Sequence, residues 1–185
     1  MTPEKEYFMQ LTNATDAIRI HKIESLYTEA FPACERKPFS LICQKQSQGL
    51  TDIFALEENG DFCGLAITMK AEDLVLLDYF AIVREKRGKG YGKMALEALF
   101  AHFNGKRFFL EIESTLAESA NKSQRIKRKR FYLKNQLTEL NLYANVFGTD
   151  MELLAYQTSL TFDEYIGVYK TVYGQEKAAC IKRLP

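Results

Sequence analysis

The sequence predicts an α/β fold built on a mixed, mostly antiparallel sheet of six or seven strands, flanked by helices on both faces. One observation is a series of apolar segments, 53–56, 62–69 and 74–83, joined by short polar connections that are typical of a strand meander. A second is a stripe of apolar residues at helical spacing after these segments, formed by Leu96, Leu99, Phe100 and Phe103. A third is the apolar segment 107–113, which indicates a parallel strand reached through a helical crossover.

Length and composition limit the class of protein. The chain has 185 residues, 46% of them hydrophobic, which is enough for one domain with a sizeable core. Lys and Arg total 25 against 24 Asp and Glu, so the bulk charge favours neither nucleic acid nor a membrane as partner. No apolar run reaches membrane-spanning length, and the N-terminus lacks the apolar segment of a secretion signal. We therefore expect a cytoplasmic monomer or homodimer with no nucleic-acid or membrane partner.

The cysteines and histidines indicate no metal site. The four cysteines are scattered and form no CxxC or His-paired motif, which predicts reduced thiols that mostly fill the core: Cys34, Cys43, Cys63 and Cys180. His21 and His102 fall on predicted helices, where we expect structural or surface roles.

The N-terminal third predicts a strand and two helices before the meander. Residues 6–11 indicate a short strand, and apolar residues at helical spacing predict a helix over 18–31 and a second one over about 40–46. The next two strands are joined through Asn59 and Gly60. This dipeptide accepts the positive φ angles of a type I′ turn, so the two strands should form a hairpin.

The last third predicts a basic helix, a hairpin and a C-terminal helix. Asn121, with Gln124 three residues later, indicates a capping box that opens a helix over 122–136. The hairpin joins strands 140–147 and 151–156 through a turn at 148–150. A second capping box, from Thr161 to Glu164, opens a helix that ends near Tyr173.

The connection after the strand 74–83 is rich in glycine. Gly88, Gly90 and Gly92 occupy alternate positions, with two cations among them, just before the helical stripe. Glycine lets the backbone turn tightly and point consecutive N–H groups outward, and the dipole at a helix N-terminus favours an anion. The sequence therefore predicts a phosphate-binding loop.

The glycine spacing distinguishes between classes of phosphate site. A nucleotide P-loop needs a hydroxyl residue where this chain has Met94, and the dinucleotide pattern GxGxxG is absent. The pattern that fits is R-x-x-G-x-G, formed by Arg87, Gly90 and Gly92. Together with the preceding DYFAI at 78–82, it resembles the acyl-CoA-binding signature of the GNAT N-acetyltransferase superfamily.

A second motif extends this resemblance. FYLKNQL at 131–137 is similar to the family's FYxKxGF, although Gln136 replaces the usual glycine. The preceding Asn135 can itself take the left-handed conformation. The resemblance implies a single domain with a core of about 5–157 and a C-terminal helical extension over 158–185.

The family resemblance implies acetyl-CoA as cofactor. The strand edge at Phe80, Ala81 and Ile82 would pair with the pantetheine arm, and a backbone N–H near Ile82 would meet the oxyanion. The remaining cofactor contacts that it implies are the loop residues Arg87, Gly88, Lys89, Gly90, Tyr91, Gly92 and Lys93, and Asn121 after the fifth strand. The seven cations of helix 122–136 form either a solvated face or a surface for the acidic nucleotide end of this cofactor. A nucleic-acid patch is a further alternative, but no neighbouring segment extends the charge.

Transfer of an acetyl group to an amine requires an acid and a base. A lysine-like ammonium has a pKa of about 10.4, and a phenol at about 10 is a feasible donor to a thiolate at about 8.5. By resemblance Tyr132 is the general acid, although a helix aromatic can also be plain core. Asp78 is the single charge in its apolar strand, and Glu111 and Glu113 share one face of the neighbouring strand. Any of the three carboxylates could be the base or bind a cation, and Asp78 could instead pair with the basic helix.

The acceptor is only partly specified. In this family the connection between the first two helices overhangs the acceptor site, which makes Phe31, Glu35 and Arg36 candidate substrate contacts, with an ordinary solvated pair as the alternative. The resulting hypothesis is direct acetyl transfer to a small-molecule amine or a peptide N-terminus. The alternative is a catalytically silent acyl-CoA sensor or interaction module.

Overall fold

The computed structural model describes residues 8–185, so Glu6 and Tyr7 of the predicted first strand lie outside the described residues. Short 3-10 helices lie at Ala33–Glu35 and Arg84–Lys86. The other elements are β1 (Gln10–Asn13), α1 (Ala17–Ala30), α2 (Phe39–Ser47), β2 (Thr51–Glu58), β3 (Asp61–Ala71), β4 (Leu74–Ile82), α3 (Tyr91–His102), β5 (Arg107–Glu113), α4 (Lys122–Lys134), β6 (Leu137–Val146), β7 (Thr149–Tyr156), α5 (Phe162–Tyr173), α6 (Gln175–Ala178) and β8 (Lys182–Arg183).

The strands form one mixed, mostly antiparallel sheet, in the order β1-β2-β3-β4-β5-β7-β6-β8. β4 and β5 are parallel, with Leu74–Leu77 opposite Arg107–Leu110, and β5 pairs with β7 in the antiparallel sense. The predicted fold class is therefore confirmed. Within residues 8–185 the sheet has eight strands, because the two-residue β8 pairs with β6 and is too short to show a sequence period.

The hairpin turns follow from residues that accept positive φ. Asn59 and Gly60 have φ angles of 51° and 84°, which confirms the predicted turn between β2 and β3. The turn between β6 and β7 is formed by Phe147 and Gly148, at φ 50° and 93°, one residue earlier than predicted. The sequence did not predict a positive φ at Phe147, because a bulky side chain seldom takes that conformation.

The residues divide into two compact units, and β3 and β4 contribute to both. The first unit comprises Met1–Ile67 and Tyr79–His102. Its core packs one face of α1 and the buried residue of α2 against strand residues, and its fully buried members include Ile23, Ile42, Ile53, Leu65 and Ile67. Burying apolar side chains of this size stabilises a fold by about 1.5–3 kcal/mol each.

The second unit comprises Thr68–Asp78 and Phe103–Pro185. α5 buries Tyr165, Val168, Tyr169 and Val172 along one stripe. The predicted capping box at its start is confirmed: the Thr161 hydroxyl accepts from the Glu164 N–H, and the Glu164 carboxylate accepts from the Thr161 N–H. Within residues 8–185, no helix combines the length and the apolar character needed to cross a bilayer.

Two local predictions are wrong, that of the Asn121 cap and that of mostly buried cysteines. Asn121 makes no capping hydrogen bond, because its side-chain oxygen accepts from Arg125 Nε instead. The left-handed residue after α4 is Gln136, at φ 69°, whereas Asn135 stays at φ −103°. The cysteines are free thiols, but they do not mostly fill the core: Cys63 is buried, Cys43 is half-buried, and Cys34 and Cys180 are exposed.

Candidate active site

The glycine loop leads directly into α3. Gly88 and Gly90 have φ angles of 73° and 89°, in the region that favours glycine, and a Cβ built on either would meet nothing within 4 Å. Because α3 begins at Tyr91, the first N–H groups of the helix have no carbonyl of their own helix to bond. Exposed Lys89 lies between the two glycines. Open space, unpaired amides and a cation are what a phosphate needs.

The larger side chains of the loop have partners within the first unit. Arg87 Nε donates to the Ile82 carbonyl at 2.8 Å, and the Tyr91 hydroxyl donates to buried Glu58 at 2.8 Å. Lys93 lies 3.7 Å from Glu97 in an exposed ion pair. The side chains of Arg87 and Tyr91 therefore brace the loop, and its backbone N–H groups and Lys89 can bind an anion.

The end of β4 is backed by β3. A Cβ at Gly64 would lie 2.3 Å from the Ala81 carbonyl oxygen, so only glycine fits at this approach. The Val83 N–H donates to the Cys63 carbonyl at 2.9 Å. These contacts fix the backbone of Ala81 and Ile82, two of the predicted cofactor contacts. A glycine inside an apolar strand indicates such a close backbone approach, but Gly64 was not singled out from the sequence.

The predicted acceptor loop is fixed by Tyr79, which the sequence did not single out. The Tyr79 hydroxyl donates to the Glu35 carbonyl at 2.9 Å and accepts from the Lys37 N–H at 3.1 Å. The Phe31 ring packs edge-on against Tyr79, with centroids 5.0 Å apart. Among the described residues, the half-buried Arg36 has a buried Nε with no hydrogen-bond partner. The main chain of this loop is thus held while Arg36 keeps a donor available.

Tyr132 lies on α4 and is buried, with 7% of its surface exposed. Burial raises the pKa of this phenol to about 12, and the nearby positive charge of Arg128 opposes the rise only in part. The hydroxyl is therefore protonated at neutral pH. A protonated phenol can donate to a thiolate, as the sequence prediction requires.

Glu113 is bound by arginines of α4. Its buried carboxylate lies 2.7 Å from Arg125 Nη2 and 3.0 Å from Arg128 Nη1. The Asn121 amide, predicted to contact the cofactor, faces the same carboxylate at 3.4 Å. A carboxylate bound by two arginines is more typical of a structural ion pair than of a general base.

Glu111 has a neutral partner. The hydroxyl of the buried Tyr169 on α5 donates to Glu111 Oε1 at 2.8 Å, and the Tyr165 ring lies 5.7 Å from that of Tyr169. Burial and the negative charge of Glu111 raise the pKa of both tyrosines well above the usual value, and half-buried Asp78 adds to both shifts. The second unit thus brings Asp78, Glu111, Tyr165 and Tyr169 into one carboxylate–tyrosine cluster. The sequence predicted its two acids but not its two phenols.

Several cations of α4 have acidic partners. Lys129 Nζ lies 2.9 Å from Glu139 and also pairs with buried Glu152, and Lys122 pairs with Glu118. Together with the two arginines on Glu113, these pairs use four of the seven predicted cations. A solvated face or a surface for the cofactor therefore remains the expectation for the rest of these cations, while four of them bind acids of the protein itself.

The family follows from a sequence comparison. Residues 20–134, more than half of the chain, match the model of the acetyltransferase (GNAT) family. The chain belongs to this family, which confirms the resemblance noted from its motifs. Acetyl-CoA is the cosubstrate of the family, so the predicted cofactor is confirmed as well. No curated protein matches the chain.

Solved structures show the same fold. A putative acetyltransferase of the GNAT family from Bacteroides thetaiotaomicron has a TM-score of 0.74 and 20% identity, covering 90% of this chain and 98% of its own. The ribosomal-protein-S18-alanine N-acetyltransferase from Escherichia coli has a TM-score of 0.58 and 19% identity, with 83% and 96% covered. An aminoglycoside 6'-N-acetyltransferase complexed with coenzyme A has a TM-score of 0.62 and 10% identity, with 80% and 96% covered.

Proposed function

We propose that the protein transfers an acetyl group from acetyl-CoA directly to the primary amine of a cationic acceptor. The observation that carries this proposal, beyond family membership, is the chemistry of the second unit. That unit offers a buried, protonated phenol, Tyr132, together with the carboxylates of Asp78 and Glu111. These are an acid for a leaving thiolate and bases for an amine.

The cofactor would be held by the first unit. Backbone N–H groups of Gly88, Gly90 and the start of α3 would bind its pyrophosphate, with Lys89 adding a positive charge. The pairing of β4 with β5 covers Leu74–Leu77, so Phe80–Ile82 lie beyond it and would pair with the pantetheine arm. The Ile82 N–H would meet the oxygen that gains negative charge during transfer.

Proton transfer follows from the groups of the second unit. The acceptor reaches the protein mainly as an ammonium, so a carboxylate must first take its proton, directly or through water. Glu111 is the carboxylate we assign, because Glu113 is already balanced by two arginines. Glu111 releases this proton to solvent, and the amine nitrogen then bonds to the acetyl carbon as the carbon–sulfur bond breaks. The nitrogen passes its second proton to the same carboxylate, directly or through water. Tyr132 gives its proton to the sulfur and is reprotonated from solvent.

The acceptor class follows from charge. Asp78 and Glu111 place negative charge beside two aromatic rings, which favours a positively charged acceptor such as a polyamine, an aminoglycoside or a peptide N-terminus. Of the solved structures above, one is named for acting on an alanine of a ribosomal protein and one on an aminoglycoside. Both kinds of acceptor therefore belong in the screen.

The test is release of free thiol from acetyl-CoA in the presence of spermidine, an aminoglycoside or a peptide with a free N-terminus. We expect acceptor-dependent release, with the product heavier by one acetyl group in mass spectrometry. Calorimetry with CoA serves as the parallel measurement. A folded protein that binds CoA but releases no thiol with any amine would favour the sensor alternative instead.

Tyr132→Phe tests the acid. Loss of a positioned acid lowers turnover by about 100-fold, while the affinity for CoA stays nearly constant. The matched control is Tyr143→Phe, which removes the hydroxyl of a half-buried tyrosine on β6. Equal turnover in wild type and Tyr132→Phe would remove Tyr132 from this role.

A further inference from the structure

We propose that Tyr169, on the C-terminal helix α5, is a positioning residue that holds the carboxylate of Glu111 for the acceptor amine. The inference rests on the proposed function, because it assigns Glu111 the base role. It gives a task to a segment that lies outside residues 20–134, the part of the chain that matches the family model. The motif residues alone therefore do not complete the site.

The hydroxyl of Tyr169 is not explained by packing. The side chain is 1% exposed, and its ring lies 6.2 Å from Phe147 and 6.5 Å from Tyr173. A phenylalanine would fill this aromatic cluster without burying a polar group, which is costly unless the group is hydrogen-bonded. The hydroxyl instead donates to Glu111 Oε1 at 2.8 Å. The hydrogen bond to Glu111 therefore explains why this position has a tyrosine and not a phenylalanine.

A phenol is a suitable hydrogen-bond donor to a carboxylate that must take a proton from an ammonium group. A hydrogen bond to a charged group is stronger than one between neutral groups, so it holds the side chain in one orientation. Unlike an arginine, the phenol brings no charge of its own, and burial beside Glu111 keeps it protonated by raising its pKa. The hydrogen bond from Tyr169 therefore orients the carboxylate without adding a positive charge to it.

α5 is well placed to set this geometry. At the start of the helix, Glu164 binds Arg107 Nη1 at 2.8 Å, and Arg107 is the first residue of β5. The same guanidinium binds Asp73 through Nε at 2.7 Å. Further along α5 and β5, the Tyr169 hydroxyl donates to Glu111. Two polar contacts thus fix the register of α5 against β5, and the capping box keeps the helix start from fraying.

The test is a double-mutant cycle on kcat/KM for the most active amine among spermidine, an aminoglycoside and a free-N-terminus peptide. We expect Tyr169→Phe to lower kcat/KM for the amine about tenfold, the usual worth of a hydrogen bond to a charged group, without changing the KM for acetyl-CoA. Glu111→Gln should lower it more. The double variant should be no worse than Glu111→Gln alone, because the hydroxyl then has no base to position. Tyr143→Phe is the matched control.

The outcomes separate the two proposals. If the wild type shows no acceptor-dependent thiol release, the proposed function fails and this inference fails with it. If the wild type is active but Tyr169→Phe and Glu111→Gln act additively, or if Tyr169→Phe raises the KM for acetyl-CoA as much as that for the amine, Tyr169 is only a structural residue. A coupled loss confined to the amine supports the positioning role.

Discussion

Two carboxylates of the same strand, two residues apart, have different surroundings. Glu113 is bound by the guanidinium groups of Arg125 and Arg128 on α4, whereas Glu111 accepts a hydrogen bond from the Tyr169 phenol on α5. The first environment supplies compensating positive charge. The hydrogen bond from Tyr169 orients Glu111 and adds no positive charge. One strand therefore presents a carboxylate suited to holding a helix in place and another suited to attracting a cation.

This difference shows why sequence position alone does not assign a base. Side chains two residues apart on a strand share a face, so Glu111 and Glu113 have the same pattern in the sequence. Their chemistry is set by the elements that pack on that face. A buried ion pair is costly to break, while a half-buried carboxylate with a neutral partner can still exchange a proton.

Glu111→Gln should lower kcat/KM for the amine by about 100-fold, the usual contribution of a general base. Glutamine keeps an oxygen that accepts from Tyr169, so the free energy of unfolding should change little. The measurements are steady-state acetylation and chemical denaturation of the same preparation. A variant that loses stability but keeps its activity would reverse the assignment of the two carboxylates.

Glu113→Gln should have the opposite profile. Removing the buried negative charge leaves Arg125 and Arg128 without compensation, and we expect a loss of about 2 kcal/mol in the free energy of unfolding. Denaturant titration gives this value. Activity per folded molecule should stay within about threefold of wild type, since the proposed base is intact. A loss of turnover equal to that of Glu111→Gln would return Glu113 to the list of bases.

Lowering the pH should weaken the ion pair between Glu152 and Lys129. Burial alone would raise the pKa of Glu152, but hydrogen bonds from Lys129 and Thr115 outweigh it and lower the pKa below the ordinary value of 4.5. A lowered pKa contributes stability above the unfolded value, and this contribution is lost as the pH falls from about 4.5 through the folded pKa.

We therefore expect the denaturation midpoint to fall between pH 5 and pH 3, and to fall less in Lys129→Gln, in which one of the stabilising donors is gone. Equal pH dependence in wild type and Lys129→Gln would show that Glu152 does not contribute in this way. Lys170→Gln, at an exposed position on α5, is the control for loss of a positive charge.

Arg128→Gln should have the smallest effect. The Arg128 side chain is 45% exposed, whereas that of Arg125 is 15% exposed, and exposed ion pairs contribute about 0–1 kcal/mol. We expect Arg128→Gln to lower the free energy of unfolding by less than about 1 kcal/mol, and Arg125→Gln by more. Denaturant titration of both variants checks the order, and the reverse order would mean that Arg128 is the main partner of Glu113.

Much of the fold could be predicted because its signals are local. The β2–β3 turn follows from Asn59 and Gly60, and the α5 capping box from Thr161 and Glu164. The glycine loop is equally local, since its spacing and the helix after it are contiguous in the chain. The predicted cap at Asn121 failed because a nearby side chain competes for it: Arg125 Nε donates to the Asn121 oxygen that would have capped α4.

The candidate site was predicted only in part. The carboxylates were found because a charge in an apolar strand is conspicuous, but Tyr79 and Tyr169 were not, because an aromatic residue in a strand or helix is usually plain core. Only their hydroxyl partners distinguish them. Those partners, the Glu35 carbonyl and the Glu111 carboxylate, are 44 and 58 residues away along the chain.

The sequence is sufficient to predict the order of the longer strands and helices, the glycine loop before α3 and the family to which they belong, because each depends on residues that are close together in the chain. Tertiary packing is what binds Glu113 to two arginines and Glu111 to a phenol, although the two glutamates are equivalent in the sequence. Hydrogen bonds and ion pairs form between atoms a few ångströms apart in space, and that distance is set by how α4 and α5 pack on β5, which no short stretch of sequence encodes.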